Sequence, residues 1–148
     1  MTTDVQLENS KGYYDITWTD AGDISTAQDL DTAILMSIFE EARATSTEIQ
    51  ESYLRRGWIG NETTQGFEQG SKAWQFEQER VTGSNLAELG AIIRNSLQWL
   101  IDDNIAVSVF VRQPYLRLGK VIVDIDLWRD GSEVDRRYFE LWNATGTF

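Results

Sequence analysis

Two groups of side chains in this sequence have the types and spacing to do chemistry. Asp124 and Asp126 stand two apart in Val121-Ile122-Val123-Asp124-Ile125-Asp126-Leu127. On a strand, residues two apart share a face, which sets the carboxyls roughly 6.5–7 Å from each other. Such a pair could serve an inverting glycoside hydrolase as acid and base. The same alternation also describes a solvated strand face. A general acid needs burial or a charged neighbour to raise its pKa, and nothing in the sequence supplies that specifically. The second group is Arg55-Arg56-Gly57-Trp58-Ile59-Gly60-Asn61. Arg and Trp are enriched at binding hot spots, so two guanidinium groups beside an indole can anchor an interface. They can equally build a turn, with Trp58 in the core, one Arg paired to an acid and the glycines taking unusual backbone angles.

Composition excludes several other chemistries. The chain has no Cys, which removes disulfides, thiol catalysis and Cys-based zinc sites. It has no His, which removes the usual general base and the Ser-His-Asp triad. No metal or cofactor is expected. Asp124, Asp126, Asp130 and Gly131 miss the spacing of a calcium loop, and Gly57-Trp58-Ile59-Gly60 lacks the lysine of a phosphate loop. A net charge of −11 argues against nucleic acid and against an anionic membrane as partners. No apolar run reaches transmembrane length, and Met1 to Ser10 lacks a signal-peptide pattern, so folding in a cytoplasm is expected. At 148 residues the chain is expected to form one domain spanning 1–148, with 1–12 a loose tail.

The elements that must position these groups follow from periodicity. Leu86, Leu89, Ile93, Leu97, Leu100 and Ile101 recur at three- and four-residue steps, which predicts one amphipathic helix from Ser84 to Ile101. Ser84 or Asn85 can cap it, with Glu88 completing a capping box on Asn85. Three strands follow: Ile105–Arg112, Val121–Trp128, and about Glu133 to Trp142, the last two joined by the hairpin signal Asp130-Gly131. Pro114 marks an end, bulge or edge of the first strand. Upstream, Tyr13–Trp18 reads as a short strand and Leu30–Thr45 as a helix with a wide apolar face. Gly70-Ser71-Lys72-Ala73-Trp74 opens a short helix to about Arg80. The expected fold class is α+β: a three- to four-stranded antiparallel meander packed against two main helices.

The last strand poses a further question. As an outer strand it would carry unpaired N–H and C=O groups. Its charges, Glu133, Asp135, Arg136, Arg137 and Glu140, guard it only in part, because Val134, Tyr138, Phe139, Leu141 and Trp142 leave a strand-forming segment. Val134, Arg136, Tyr138, Glu140 and Trp142 are expected on one face. Such an edge could accept another chain's strand, or the N-terminal strand could cover it.

Several stretches together resemble the family of small phage tail proteins named for gene product 46 of Mu-like phages. They are Asp15-Ile16-Thr17-Trp18; Leu30 through Phe39; Arg55-Arg56-Gly57-Trp58; Gly70-Ser71-Lys72-Ala73-Trp74; Leu97-Gln98-Trp99-Leu100-Ile101-Asp102-Asp103; and the hairpin at Asp130-Gly131. The likeness spans Asp15 to Trp142, with departures at Ile59, Asn61 and Ala73. It implies a fold and place similar to the gene-product-25-like baseplate proteins. The protein would then be a non-enzymatic component of a contractile tail baseplate in the virion. It would join the wedge proteins, start the sheath by strand augmentation, possess six copies per baseplate and border hub or tube proteins. By position, Arg55, Arg56, Trp58 and Trp74 would face the wedge, and the strand from Val134 to Trp142 the sheath protein. A tailocin or another bacterial contractile machine would use the same part. The competing reading is the acidic-lysozyme label attached to the related family, a peptidoglycan hydrolase resting on Asp124 and Asp126.

Overall fold

The protein is α+β, with antiparallel strands and two main helices. A computed structural model describes residues 4–10, 13–27, 30–57, 61, 70–77, 79–129 and 134–144. The central strand is β7, Lys120–Trp128. Along one side it pairs with β8, Asp135–Asn143. Along the other it pairs with β5, Ser108–Val111, and then with β6, Tyr115–Arg117. The meander is therefore three rows deep, and its first row is interrupted between β5 and β6.

The interruption has a packing cause. Pro114 lies fully buried in the gap. It meets the second helix, α2 (Gly83–Ser96), at Gly90, where an added Cβ would stand 3.0 Å from the proline Cδ. A proline cannot donate to a ladder, so the strand lets go of β7 there and the ring fills the groove above Gly90. The chain then returns through Leu118-Gly119, a two-residue hairpin loop with both residues at positive φ, 51° and 77°.

The core lies between the sheet and the helices. Val121, Val123, Ile125 and Leu127 of β7 are buried against Leu89, Ile93, Leu97 and Leu100. The stripe read from the sequence thus packs where it should, although the helix is not continuous. Leu97 and Gln98 tighten into three-residue turns, and a short helix α3, Trp99–Asp102, follows. Its cap also differs. Thr82 Oγ1 accepts the Asn85 N–H at 3.1 Å, so the helix starts from Thr82 and not from Ser84 or Asn85.

Helix α1 spans Asp31–Phe39 and buries Ile34, Leu35 and Ile38 in the same core. It ends six residues short of the expected Thr45, because residues 40–44 spend their backbone groups elsewhere. Ser71 N donates to Glu40 O, Ala42 N to Ser71 O, and Ala44 N to Arg55 O. Tertiary partners satisfy these groups better than a solvent-facing helix end would. Trp99 Nε1 ties α3 to α1 by donating to Ser37 Oγ at 2.9 Å.

The N-terminal segment is not a loose tail over residues 4–10. Strands β1 (Asp4–Val5) and β2 (Leu7–Ser10) pair with β4 (Thr26–Ala27) and β3 (Tyr13–Ile16). Leu7 and Tyr14 pack against the core, and Thr32 Oγ1 donates to Val5 O. The period-two pattern of Leu7 to Ser10 is too short to stand out without those partners. The Asp130-Gly131 turn lies outside the described residues.

Replacing Gly90 by Leu should force Pro114 and its strand away from α2. We expect a loss of about 1–3 kcal/mol by chemical denaturation, whereas Gly83→Ala, with open space around it, should be neutral or mildly stabilising. Equal stability of the two variants would contradict the packing account.

Candidate functional site

The Gly70-to-Trp74 motif is a clamp on the chain that leaves α1. Gly70 takes φ +103°, and a Cβ there would fall 2.2 Å from Glu40 O. Only glycine permits so close an approach. Ser71 Oγ donates to Ile38 O at 2.6 Å and accepts the Ala73 N–H at 3.1 Å. A 3-10 turn, Ala73–Phe76, then presents Trp74, whose Nε1 donates to Ala42 O at 2.9 Å.

The clamp brings together residues far apart in sequence. The Arg56 guanidinium stacks 4.8 Å from the Trp74 ring centre and pairs with Glu41 at 2.9 Å. Arg43 holds this corner by donating to Arg56 O and Ser52 O. Arg56 itself sits at φ 56° and Gly57 at φ 115°, so the turn does use the left-handed region. Arg55 is committed inward: it donates to Ile49 O and Gln50 O, each at 2.7 Å. Of the four residues assigned to one interface, Arg56 and Trp74 touch, Arg55 locks its own loop, and Trp58 lies outside the described residues. Beside them, Glu48 receives Lys72 at 2.6 Å and Gln75 at 3.1 Å. These donors, Lys72 foremost, hold its carboxyl at about 2 instead of the ordinary 4.5.

Because α1 stops at Phe39, its apolar face is only partly covered. A cleft of about 380 Å³ opens between α1, the 3-10 turn and the end of β8. Trp74 and Trp142 both line it, joined by Tyr14, Met36 and Phe39, with Glu40, Glu41 and Glu77 among its other lining residues. The sequence reading passed over Met36, Tyr14 and Glu77. The available signal was the width of the apolar face of α1, broader than one neighbour can bury.

Trp142 was expected to share a face with Val134, Arg136, Tyr138 and Glu140. It does not. Val121 pairs with Trp142 but Ile122 pairs with Glu140, so Leu141 is the extra residue of a β-bulge. The bulge turns Trp142 onto the core side, where it packs against the hydrophobic cluster.

The register also settles where the backbone of β8 points. Arg112 N donates to Asp124 O, so Asp124 turns its polar groups toward β5 and β6. In an antiparallel ladder the sides alternate residue by residue. Val123 and Ile125 therefore serve β8 through Phe139 and Arg137. The N–H and C=O of Arg136, Tyr138 and Glu140 face outward. Asn9 Nδ2 reaches Glu140 O at 3.5 Å, and among the described residues no strand pairs with this edge.

Asp124 and Asp126 share the sheet face away from the helices but not one environment. Asp126 is 4% exposed and is paired with Arg112 at 3.1 Å and Arg136 at 3.9 Å. It is a buried tie across the sheet and not a solvated residue. Asp124 accepts the Tyr115 hydroxyl at 3.2 Å and lines a shallow hollow that does not include Asp126.

Comparison with known proteins decides the family. The model of the phage protein GP46 family matches residues 30–134. The chain belongs to that family. It is a phage protein, and it is similar to the Mu-like prophage FluMu protein gp46 of Haemophilus influenzae, 29% identical over 115 residues that cover 77% of this chain and 79% of the relative. The GP46 match begins at α1 and takes in the clamp, α2, α3 and the sheet through β7. The N-terminal strands and β8 lie outside it.

Removing the Glu48 carboxylate should change stability in a pH-dependent way. A carboxyl depressed in the folded state stabilises fully above its unfolded value near 4.5, and that advantage disappears as pH falls toward 2. Wild type should therefore melt above Glu48→Gln at pH 6, and the gap should close progressively below pH 4.5. A gap that stays constant down to pH 2.5 would contradict the network.

Proposed function

We propose that this protein is a structural, non-enzymatic component of a contractile phage tail baseplate, with a gene-product-25-like fold and location. It joins wedge proteins at the inner baseplate and starts the sheath by accepting a strand of the sheath protein on β8. Six copies per baseplate, and contact with hub or tube proteins, follow from that place. GP46 membership supports a phage role, and the outer edge of β8 is the observation that carries the finer reading.

That edge suits strand addition. Arg136 and Tyr138 turn N–H and C=O outward with no strand beside them among the described residues. Tyr138 is 70% exposed. The inner side of β8 is held in place by Phe139 and Leu141 in the core and by Arg137, which pairs with Asp31 and Asp135. A strand fixed along its inner side, with Arg136 and Tyr138 unpaired by any strand among the described residues, is a preorganised acceptor, so little ordering cost falls on this partner. The corner of Arg56 and Trp74 is the wedge-facing candidate: side chains give it specificity, whereas backbone gives β8 its affinity. The hydrolase alternative receives no support from Asp124 and Asp126, because Asp126 is committed to two arginines.

A proline on β8 separates the two sides of the strand. Tyr138→Pro removes a donor that faces outward and should leave a folded protein, as prolines do on edge strands. Arg136→Pro also removes an outward donor, but with it one of the two arginines on buried Asp126, so it should fold with lower stability than Tyr138→Pro, Arg112 remaining as the partner. Arg137→Pro removes a donor that serves β7, together with the ion pairs to Asp31 and Asp135, and should melt well below Tyr138→Pro. In phage complementation, negative-stain electron microscopy should show tubes without sheath for Tyr138→Pro and Arg136→Pro. Sheathed tails at wild-type frequency from both folded variants would exclude strand addition at this edge.

A further inference from the structure

We propose that the cleft between α1, the Ala73–Phe76 turn and the end of β8 docks a short segment of a partner protein, one that places a large apolar side chain next to an arginine or lysine. The proposal names the chemistry of a partner and does not depend on strand addition at β8.

The occupant is argued from charge and shape. The walls are aromatic and aliphatic: Tyr14, Met36, Phe39, Trp74 and Trp142 line the cleft. Phe39 is 36% exposed and Met36 37%, which leaves apolar area that a partner would remove from water. A volume of about 380 Å³ accepts roughly one or two bulky side chains and not a whole element.

The acids select what accompanies those side chains. Glu40, Glu41 and Glu77 line the cleft, and among the described residues no Lys or Arg does. Glu41 already shows what this environment attracts, since Arg56 pairs with it while lying over the Trp74 ring. A guanidinium between a carboxylate and an indole gains from both. Glu40 and Glu77 have no cationic partner among the described residues, so they offer the same combination to a cation from outside. A second copy of this chain is a poor occupant: it would bring a net charge of −11 against an acidic rim. An arginine- or lysine-bearing apolar segment is complementary on both counts.

The test uses the full chain and a fluorescein-labelled amphipathic peptide with one Leu/Trp stripe and one Arg stripe. Its twin carries Glu for every Arg. Fluorescence anisotropy should show saturable 1:1 binding of the Arg peptide only, and the indole N–H signals of Trp74 and Trp142 should shift in NMR titration. Glu40→Lys combined with Glu77→Lys should weaken binding about tenfold. Met36→Trp, which fills the cleft without changing charge, should weaken it by a similar factor. Glu88→Lys combined with Asp103→Lys, two exposed acids away from the cleft, should leave affinity within about twofold. Circular dichroism and melting confirm that each variant is folded. Binding of the Glu twin, absence of binding, indifference to Met36→Trp, or equal weakening by the distant pair would each overturn the proposal. These outcomes are separate from those of sheath assembly, because no tail is involved.

Discussion

The contact between β7 and the helical run from α2 into α3 is the one on which the rest of the molecule depends. Val121, Val123, Ile125 and Leu127 meet Leu89, Ile93, Leu97 and Leu100, all buried to 2% exposure or less. Each such side chain contributes about 1.5–3 kcal/mol by leaving water. Burial is possible because both sides of the β7 backbone are hydrogen-bonded, one to β8 and the other to β5 and β6. The same fact decides the surface. Once β7 takes the centre, its neighbours must be edges, and β8 becomes the strand whose outward groups have to be guarded or used. Pro114 reinforces this order, since its seat against Gly90 fixes where the other row breaks.

A second constraint is local and backbone-driven. The close approach of Gly70 to Glu40 O ends α1 by giving the following residues a different set of partners. Two consequences follow. The chain from Glu40 to Ala44 runs alongside the Ser71 segment, so Arg56, Glu41 and Trp74 converge although the first and last are 18 residues apart in sequence. The apolar face of α1 also outlasts its cover, which opens the cleft. Truncating the helix thus builds the acid–aromatic corner and exposes it in one step.

The sheet face away from the helices shows how an acidic chain tolerates a buried carboxylate. Asp126 lies between Arg112, just beyond β5, and Arg136 on β8. Removing one partner of such a pair leaves an uncompensated charge, whereas the intact arrangement fixes register across three rows. Arg137 does the corresponding work on the inner side, joining β8 to Asp31 at the start of α1. Among the described residues the outer edge of β8 meets side chains and no strand, Asn9 and Tyr14 both reaching the Glu140 backbone, so β7 and the core hold it in place.

Local periodicity carries the elements that a short window can specify. The stripe from Leu86 to Ile101 and the alternation of Val121 to Leu127 place the correct residues in the core, because helix and strand geometry impose steps of 3.6 and 2 wherever a chain has one buried side. The absence of Cys and His likewise bounds the chemistry without any coordinates. What the sequence could not determine were outcomes of competition between distant groups. Whether Glu40 continues a helix depends on Ser71, 31 residues later. Which way Trp142 points depends on one extra residue, Leu141, against Val121 and Ile122. Whether Asp126 is solvated depends on arginines from two other rows. In each case the free energy belongs to a pair that only tertiary packing brings within reach, so no pattern along the chain encodes it.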